Sequence, residues 1–417
     1  LCDRRQRQMC IRDRLQYIDT QKKELCCGCR ACEQICHVHA IIMKEDEEGF
    51  LYPHLNMNLC TQCGLCEKVC PISEPILVSS EIANMQVYAA MTRDVELRKK
   101  SSSGGLFSEI ASVILHAEGG VYGAAFDREF RLKHVGVFSE KELDRLRGSK
   151  YLQSDTGTTF SQVRDLLRQG KSVYYTGTPC QIAGLKKFLR REYENLFTSD
   201  LACHGVPSQK IFFAYKDYLE HKNVGRISSF NFRDLDGWGP AINIRLERRN
   251  KTVVVADSYY LFSPYLYAFL NGDLNRPVCY SCPYARSGRV GDITLADFWG
   301  VRRFFPSLDV KKGVSLILVN TEKGRKMLES MNNNLDLMPS CFEDAVLENW
   351  NLAHPTVRPP QRDTVYVNLD KYSFEHLAKN EFRCPHKLRI YARRFIVATL
   401  DYLHLKELIC QIVRREY

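Results

Sequence analysis

Cys26-Cys27-Gly28-Cys29-Arg30-Ala31-Cys32-Glu33-Gln34-Ile35-Cys36 and Cys60-Thr61-Gln62-Cys63-Gly64-Leu65-Cys66-Glu67-Lys68-Val69-Cys70-Pro71 decide how the rest of the chain is read. Both runs have the form C-x2-C-x2-C-x3-C. A tight loop with thiolates at these intervals turns three sulfurs towards one 4Fe-4S cluster. The fourth Cys, a helical turn further on, ligates the neighbouring cluster. The spacing therefore assigns Cys26, Cys29, Cys32 and Cys70 to a first cluster, and Cys60, Cys63, Cys66 and Cys36 to a second. A zinc ribbon, built on paired C-x2-C knuckles, does not account for three close thiols plus a fourth at fixed offset, twice over.

This stretch resembles a bacterial-type dicluster ferredoxin. His37 stands where the first run lacks the usual proline, and Cys27 is a supernumerary thiol whose plain reading is a small buried side chain. Between the runs, Ala40–Met43 and Phe50–Pro53 bracket an acidic turn ending at Gly49, the pattern of a β-hairpin.

The 417 residues leave room for two or three domains, and 45% hydrophobic with 26% charged residues is ordinary globular composition. No run of about eighteen apolar residues and no signal-peptide pattern is visible. Of 18 cysteines, 12 sit in cluster-type arrangements, which points to a reducing cytoplasm rather than to disulfides. The residues 1–14, including Cys2 and Cys10, form an Arg-rich tract without periodicity, expected to be a non-native or disordered tail. Removing its five basic and two acidic residues lowers the net charge from +10 to +7. The basic residues are scattered, so no nucleic-acid partner is expected, and a small electron carrier or other redox partner protein is the better match.

Beyond a short linker, Gln86–Met91 reads as a strand, and Ser101-Ser102-Ser103-Gly104-Gly105 opens a helix over 106–115. Such a loop offers backbone N–H groups to an anion, although simple serine capping is the plainer alternative. Strands are expected at 120–126 and 135–138. Gly148-Ser149-Lys150-Tyr151-Leu152-Gln153-Ser154 then gathers a turn, a cation and hydroxyls suited to a pyrophosphate, or forms an exposed loop. The strand 171–177, the helix through Leu189 and the strand 196–202 make a β-α-β unit with Cys180 and Cys203 at the carboxyl ends of parallel strands, the edge where open α/β sheets bind cofactors. Cys279 and Cys282 supply a further C-x2-C pair. Cys180, Cys203, Cys279 and Cys282 make a possible four-thiolate site, for which zinc, unpaired core thiols and a nucleophilic Cys180 remain alternatives.

The blocks Ser102–Gly105, Gly148–Ser154, Gly177–Gln181, Cys203–Pro207, Phe232–Trp238 and Cys279–Gly300 together resemble the coenzyme F420 hydrogenase/dehydrogenase beta subunit family over about residues 84–350. The resemblance implies an α/β domain that binds FAD and a third 4Fe-4S cluster, with Cys180, Cys203, Cys279 and Cys282 as ligands. The FAD-binding candidates are Ser103, Gly104, Gly105, Ser149, Lys150, Gln153 and Thr178. His204 is a candidate proton donor, with local hydrogen bonding as its plain alternative. The fused dicluster module looks most like members found among bacterial surface-polysaccharide genes, which implies a small-molecule or glycan-linked substrate.

The expected fold is α+β and α/β: a tail (1–14), a ferredoxin-like domain (15–80), two regions of the beta-subunit type (84–175 and 176–350) and a helical extension (355–417). In that extension Leu388, Tyr391, Phe395, Ala398, Tyr402, Leu405, Ile409 and Ile412 repeat at helical spacing. Their stripe is expected to pack on its own domain or a partner, with peripheral attachment to a membrane surface as the lesser alternative. The function expected is an iron–sulfur flavoprotein oxidoreductase linking a one-electron donor to a two-electron acceptor. The competing readings are a non-catalytic electron-transfer subunit and a zinc-bound nucleic-acid or scaffold protein.

Overall fold

The computed structural model describes residues 17–76, 85–233, 238–248, 251–257, 260–382, 384–385 and 387–402. The expected tail at 1–14 lies outside these residues, as do Leu405, Ile409 and Ile412.

The N-terminal module holds the expected antiparallel hairpin, β1 (Ile41–Glu45) and β2 (Leu51–Leu55). Asp46 ties its turn by accepting from the backbone N–H of Glu48 at 3.1 Å and of Phe50 at 2.8 Å. Gly49 completes the turn at φ +81°, and a Cβ there would lie 2.4 Å from Lys210 Cβ, so only glycine lets the body approach.

The body is built on an eight-stranded sheet. Its strands are β3 (Gln86–Thr92), β4 (Gly120–Phe126), β5 (Leu132–Val137), β6 (Val173–Gly177), β7 (Leu196–Leu201), β11 (Ile293–Asp297), β12 (Ser315–Val319) and β13 (Leu335–Ser340). Their spatial order is β13-β3-β12-β11-β7-β6-β4-β5. The four central strands β11, β7, β6 and β4 run parallel, and the flanks are antiparallel. Successive side chains on a strand face opposite sides. Tyr174 therefore packs with the helix Leu106–His116 on one face, while Tyr175 packs with the helices Thr159–Arg168 and Pro179–Leu189 on the other. Burial on both faces explains the apolar β6 and β7 runs.

A smaller antiparallel sheet, β8 (Arg226–Arg233), β9 (Pro240–Arg248) and β10 (Lys251–Asp257), was not anticipated as a separate layer. Its inner face joins an aromatic core with Phe212, Tyr215, Tyr265, Val365, Tyr366 and Phe374.

The structure adds detail to three expectations about the organisation of the chain. The boundary drawn at 175/176 falls inside β6, and strands from both regions form one sheet, so residues 84–350 are not divided there. The segment 355–417 is not a detached extension, because its helices Arg362–Leu369 and Phe374–Asn380 supply core side chains to the second sheet. Within the C-terminal helix Lys387–Tyr402 the buried residue is Ile390, whereas Leu388, Tyr391 and Phe395 of the expected stripe are 73%, 57% and 75% exposed. Among the described residues no helix is long and apolar enough to cross a membrane.

Candidate redox site

The first cysteine run turns at Gly28 (φ +69°) and continues into the helix Ala31–Ile35. The body holds this loop by its carbonyls: Arg276 Nε donates to Cys26 O at 2.7 Å, Gln153 Nε2 to Cys27 O at 2.8 Å, and Thr156 Oγ1 to Cys29 O at 2.9 Å. Cys26, Cys29, Cys32 and Cys70 line one cavity together with Cys66. Burial, and then the charges of Cys26, Cys70 and Cys66, push the Cys32 thiol well above its ordinary range. Such a crowd of buried sulfurs carries its charge readily only around a bound cation, which fits iron.

The second quartet is more open. Cys63 is exposed, and burial, then the charge of Glu67 and less so that of Cys60, push Cys66 up to about 11. Backbone amides donate to sulfur at Cys36 (from Ala40, 3.2 Å) and Cys60 (from Gln62, 3.4 Å), the kind of contact that sets a cluster's potential.

The third quartet assembles from three loops. Cys180 opens the helix Pro179–Leu189, whose capping box joins Thr178 to Gln181. Cys203 follows β7, and Cys279 and Cys282 lie in and just after the 3-10 turn Pro277–Ser281. Burial and then Cys180 push Cys203 up to about 12. Burial and then Cys203, Cys282 and Cys180 drive Cys279 well above its usual range. Each of these thiols thus feels the charge of its fellows, although among the described residues no group of three or more His, Cys, Asp or Glu is arranged to hold a metal ion. Cys27 is 4% exposed, and its thiol, pushed well above the usual range, interacts with those of Cys180 and Cys29, one from each neighbouring quartet.

Buried charges fix these loops. Asp200 on β7 accepts from Arg289 Nη2 at 3.0 Å, the amides of Val290 and Gly291 at 3.0 and 2.9 Å, and Thr294 Oγ1 at 2.6 Å. Gly291 is required because a Cβ would lie 2.6 Å from Asp200 N. Asp297 accepts from Arg233 and from Trp238 Nε1 at 2.9 Å, and Trp238 stacks on Trp299 at 4.8 Å.

Beside the third quartet lies a cavity of about 590 Å³ lined by Cys203, Ser103, Gly105, Ser149, Lys150 and Thr178, among others. Ser103 Oγ is buried there without a hydrogen-bond partner. The helix Leu106–His116 opens at Gly105 (φ +93°) with no side-chain cap, so the serine-capping alternative does not describe this helix. Lys150 Nζ meets only the carbonyls of Arg145, Leu146 and Arg147, at 3.3, 3.0 and 2.8 Å, and burial pushes it down to about 7. An orphaned hydroxyl and a half-buried amine whose recorded partners are all neutral carbonyls fit an anionic group such as a flavin pyrophosphate, which would favour the amine's protonated form.

Two candidates lie elsewhere. Gln153 turns away to Cys27 O and Arg276, and Gly104 sits against β12, its N–H donating to Ser315 Oγ at 2.9 Å. His204 lines the cavity, but its Nδ1 is 2.7 Å from Asn351 Oδ1 and its Nε2 2.9 Å from Leu270 O. Both ring nitrogens are engaged, which is the local hydrogen-bonding alternative. Sequence reasoning missed Arg276, Asp200 and Arg289. Arg233 and Asp297 fall within the motif blocks but were not paired, since nothing local marks two residues 64 positions apart as partners.

His134, also lining the cavity, is held neutral: burial lowers it from the ordinary 6.5 to about 4 despite its bond to Thr176 O. Its folded pKa is depressed, so the unfolded chain binds the extra proton first as pH falls. The stability it contributes is complete above about 6.5 and is expected to drain away towards pH 4. Urea unfolding of wild type and His134→Gln across that window measures this.

Residues 25–73 match the model of the 4Fe-4S dicluster domain, and residues 170–340 match that of the C terminus of the coenzyme F420 hydrogenase/dehydrogenase beta subunit. These two stretches are similar to those two families and coincide with the motifs that carry the resemblance. A chain of the F420-reducing NiFe hydrogenase complex from Methanosarcina barkeri is similar to this protein, with 18% identity over 64% of this chain and 86% of that one, at a TM-score of 0.45. No curated protein matches the sequence.

Proposed function

We propose that this chain is an oxidoreductase that exchanges single electrons with a redox protein and delivers them in pairs to an acceptor at the cavity. Three 4Fe-4S clusters would be held by the three cysteine quartets, and FAD by Ser103, Gly105, Ser149, Lys150 and Thr178. Bound clusters supply one-electron steps, and a bound flavin converts these to two-electron chemistry. The observation that carries the reading is the placement of Cys203, a member of the third quartet that also lines the cavity. Exposed Cys63 marks where a partner protein would approach. The acceptor would be a small molecule or glycan-linked group, with the protein working in the cytoplasm or at the inner face of a membrane.

The chain's own residues bind and orient. Lys150 offers an amine that a bound pyrophosphate would hold protonated, Ser103 an unused hydroxyl, and the Arg233–Asp297–Trp238 set holds Trp299 at the cavity wall. Anaerobic purification with iron, sulfide and flavin analysis tests the assignment. Protein with clusters but no flavin would favour the non-catalytic relay, and colourless protein would remove the redox reading. Lys150→Met is expected to weaken flavin binding about 10- to 100-fold, the worth of a charge-assisted hydrogen bond. Flavin retained on gel filtration and a fluorescence titration of FAD into the stripped protein measure it.

A further inference from the structure

Arg276 is fully buried between the first and third quartets, and every group it bonds is neutral. Its Nε meets Cys26 O, its Nη1 meets Gln153 Oε1 at 3.0 Å and its Nη2 meets Leu51 O at 2.9 Å. Its guanidinium carbon lies 4.1 Å from the Tyr52 ring centre. The other buried arginines differ. Arg289 meets Asp200, Arg362 meets Glu48, and Arg233 meets Asp297. Among the described residues no carboxylate pairs with Arg276. A guanidinium cannot shed its proton, and burying one unpaired is costly, so a negative charge belongs beside it.

The groups whose charge bears on it most are Tyr52, then Cys26 and Cys27 on the module and Cys279 on the body, and cysteines ligating a cluster would carry the negative charge it lacks. Its own backbone ties it to the third quartet, since Cys279 N donates to Arg276 O at 2.9 Å and Arg276 N to Val206 O at 2.9 Å. The first run leaves room for it, because a Cβ on Gly28 would lie 2.8 Å from Arg276 Nη1. None of its side-chain hydrogen bonds goes to a residue of the second quartet.

We propose that Arg276 is a fixed counter-cation shared by the first and third clusters, a positioning residue that raises the reduction potentials of both, while Cys27 marks the crossing between them. This rests on the three-cluster reading above. A cluster with four thiolate ligands is anionic, and reduction adds a further negative charge. A permanent cation in a low-dielectric site favours the reduced form.

The test is a redox titration of the anaerobically purified full chain, followed by EPR and by visible bleaching. In Arg276→Gln, two of the three midpoints are expected to move to more negative potential while the third stays. Arg276→Lys keeps the charge and should return both towards wild type. Gln153→Glu keeps the guanidinium and sets a carboxylate beside it, and should move the same two midpoints in the same direction. If Arg276→Gln fails to fold, Gln153→Glu carries the test alone. Unmoved midpoints, an equal movement of all three, or a lysine variant displaced as far as the glutamine variant would overturn the proposal. Wild-type protein without iron overturns the cluster reading itself; a full iron complement with unmoved midpoints overturns only the role of Arg276.

Discussion

Cys203→Ala is expected to remove about a third of the iron while leaving the signals of the two N-terminal clusters in place. Cys203 follows β7, where burial and Cys180 already push its thiol up to about 12. Losing one sulfur leaves that site three ligands, and the adjacent His204 already has both ring nitrogens engaged by Asn351 and Leu270. The N-terminal ligands come from separate segments, 26–36 and 60–70, that share no residue with the third quartet. The substitution removes one sulfur from a half-buried position, so the sheet should fold as before. Iron and sulfide assays with EPR decide it, and unchanged iron would exclude the third quartet. Cys27→Ala is the matched control. Its thiol lies against Cys29 and Cys180 without belonging to either quartet, so all the iron should remain.

The cavity reading makes a second demand on the same variant. Because Cys203 lines the cavity, loss of the third cluster should slow reduction of any bound flavin by a protein donor more than reduction by a small soluble reductant. Equal slowing would mean that the cavity itself had been damaged.

The spacing of the thiols made the module legible, because ligand geometry constrains sequence directly. The β-α-β unit around Cys180 was equally legible: β6 and β7 are buried on both faces, so their apolar runs stand out between turn residues. The second sheet was not. The alternation in β9, with Ala241, Ile242, Ile244 and Leu246 buried, has meaning only once the aromatic core on one side is known. The C-terminal helix was legible from its periodicity, but which of its residues pack on this chain was not. Periodicity marked a stripe along one face, yet only one narrow contact at Ile390 is buried in the described part. Arg276 and Gln153 lay beyond sequence reading altogether. Sequence spacing says nothing of which arginine lacks a carboxylate, and Gln153 stands in a block that suited a phosphate loop but turns its amide to the module instead.

Asp200→Ala is expected to be the most destabilising single change in the body, costing at least about 3–5 kcal/mol, because it leaves Arg289 as an unpaired buried cation. The two side chains are 0% and 1% exposed, so water cannot take over the lost contact. Two backbone amides, Val290 and Gly291, would lose their acceptor as well, at about 1–3 kcal/mol each if they stay buried. The consequence reaches the third quartet. Arg289 also donates to Leu201 O at 2.7 Å, two residues before Cys203, and to Tyr284 O at 3.2 Å, two residues after Cys282. With Asp200 gone, that guanidinium keeps only neutral acceptors between the two loops and loses its charge partner, so the loops that carry Cys203 and Cys282 are expected to loosen. Asp200→Asn preserves the shape and one acceptor oxygen and should sit between wild type and alanine. Urea unfolding midpoints order the three proteins. EPR of the folded fraction should show the third signal weakened in Asp200→Ala while the N-terminal pair persists, because the body grips the first run through Arg276, Gln153 and Thr156 and not through Arg289.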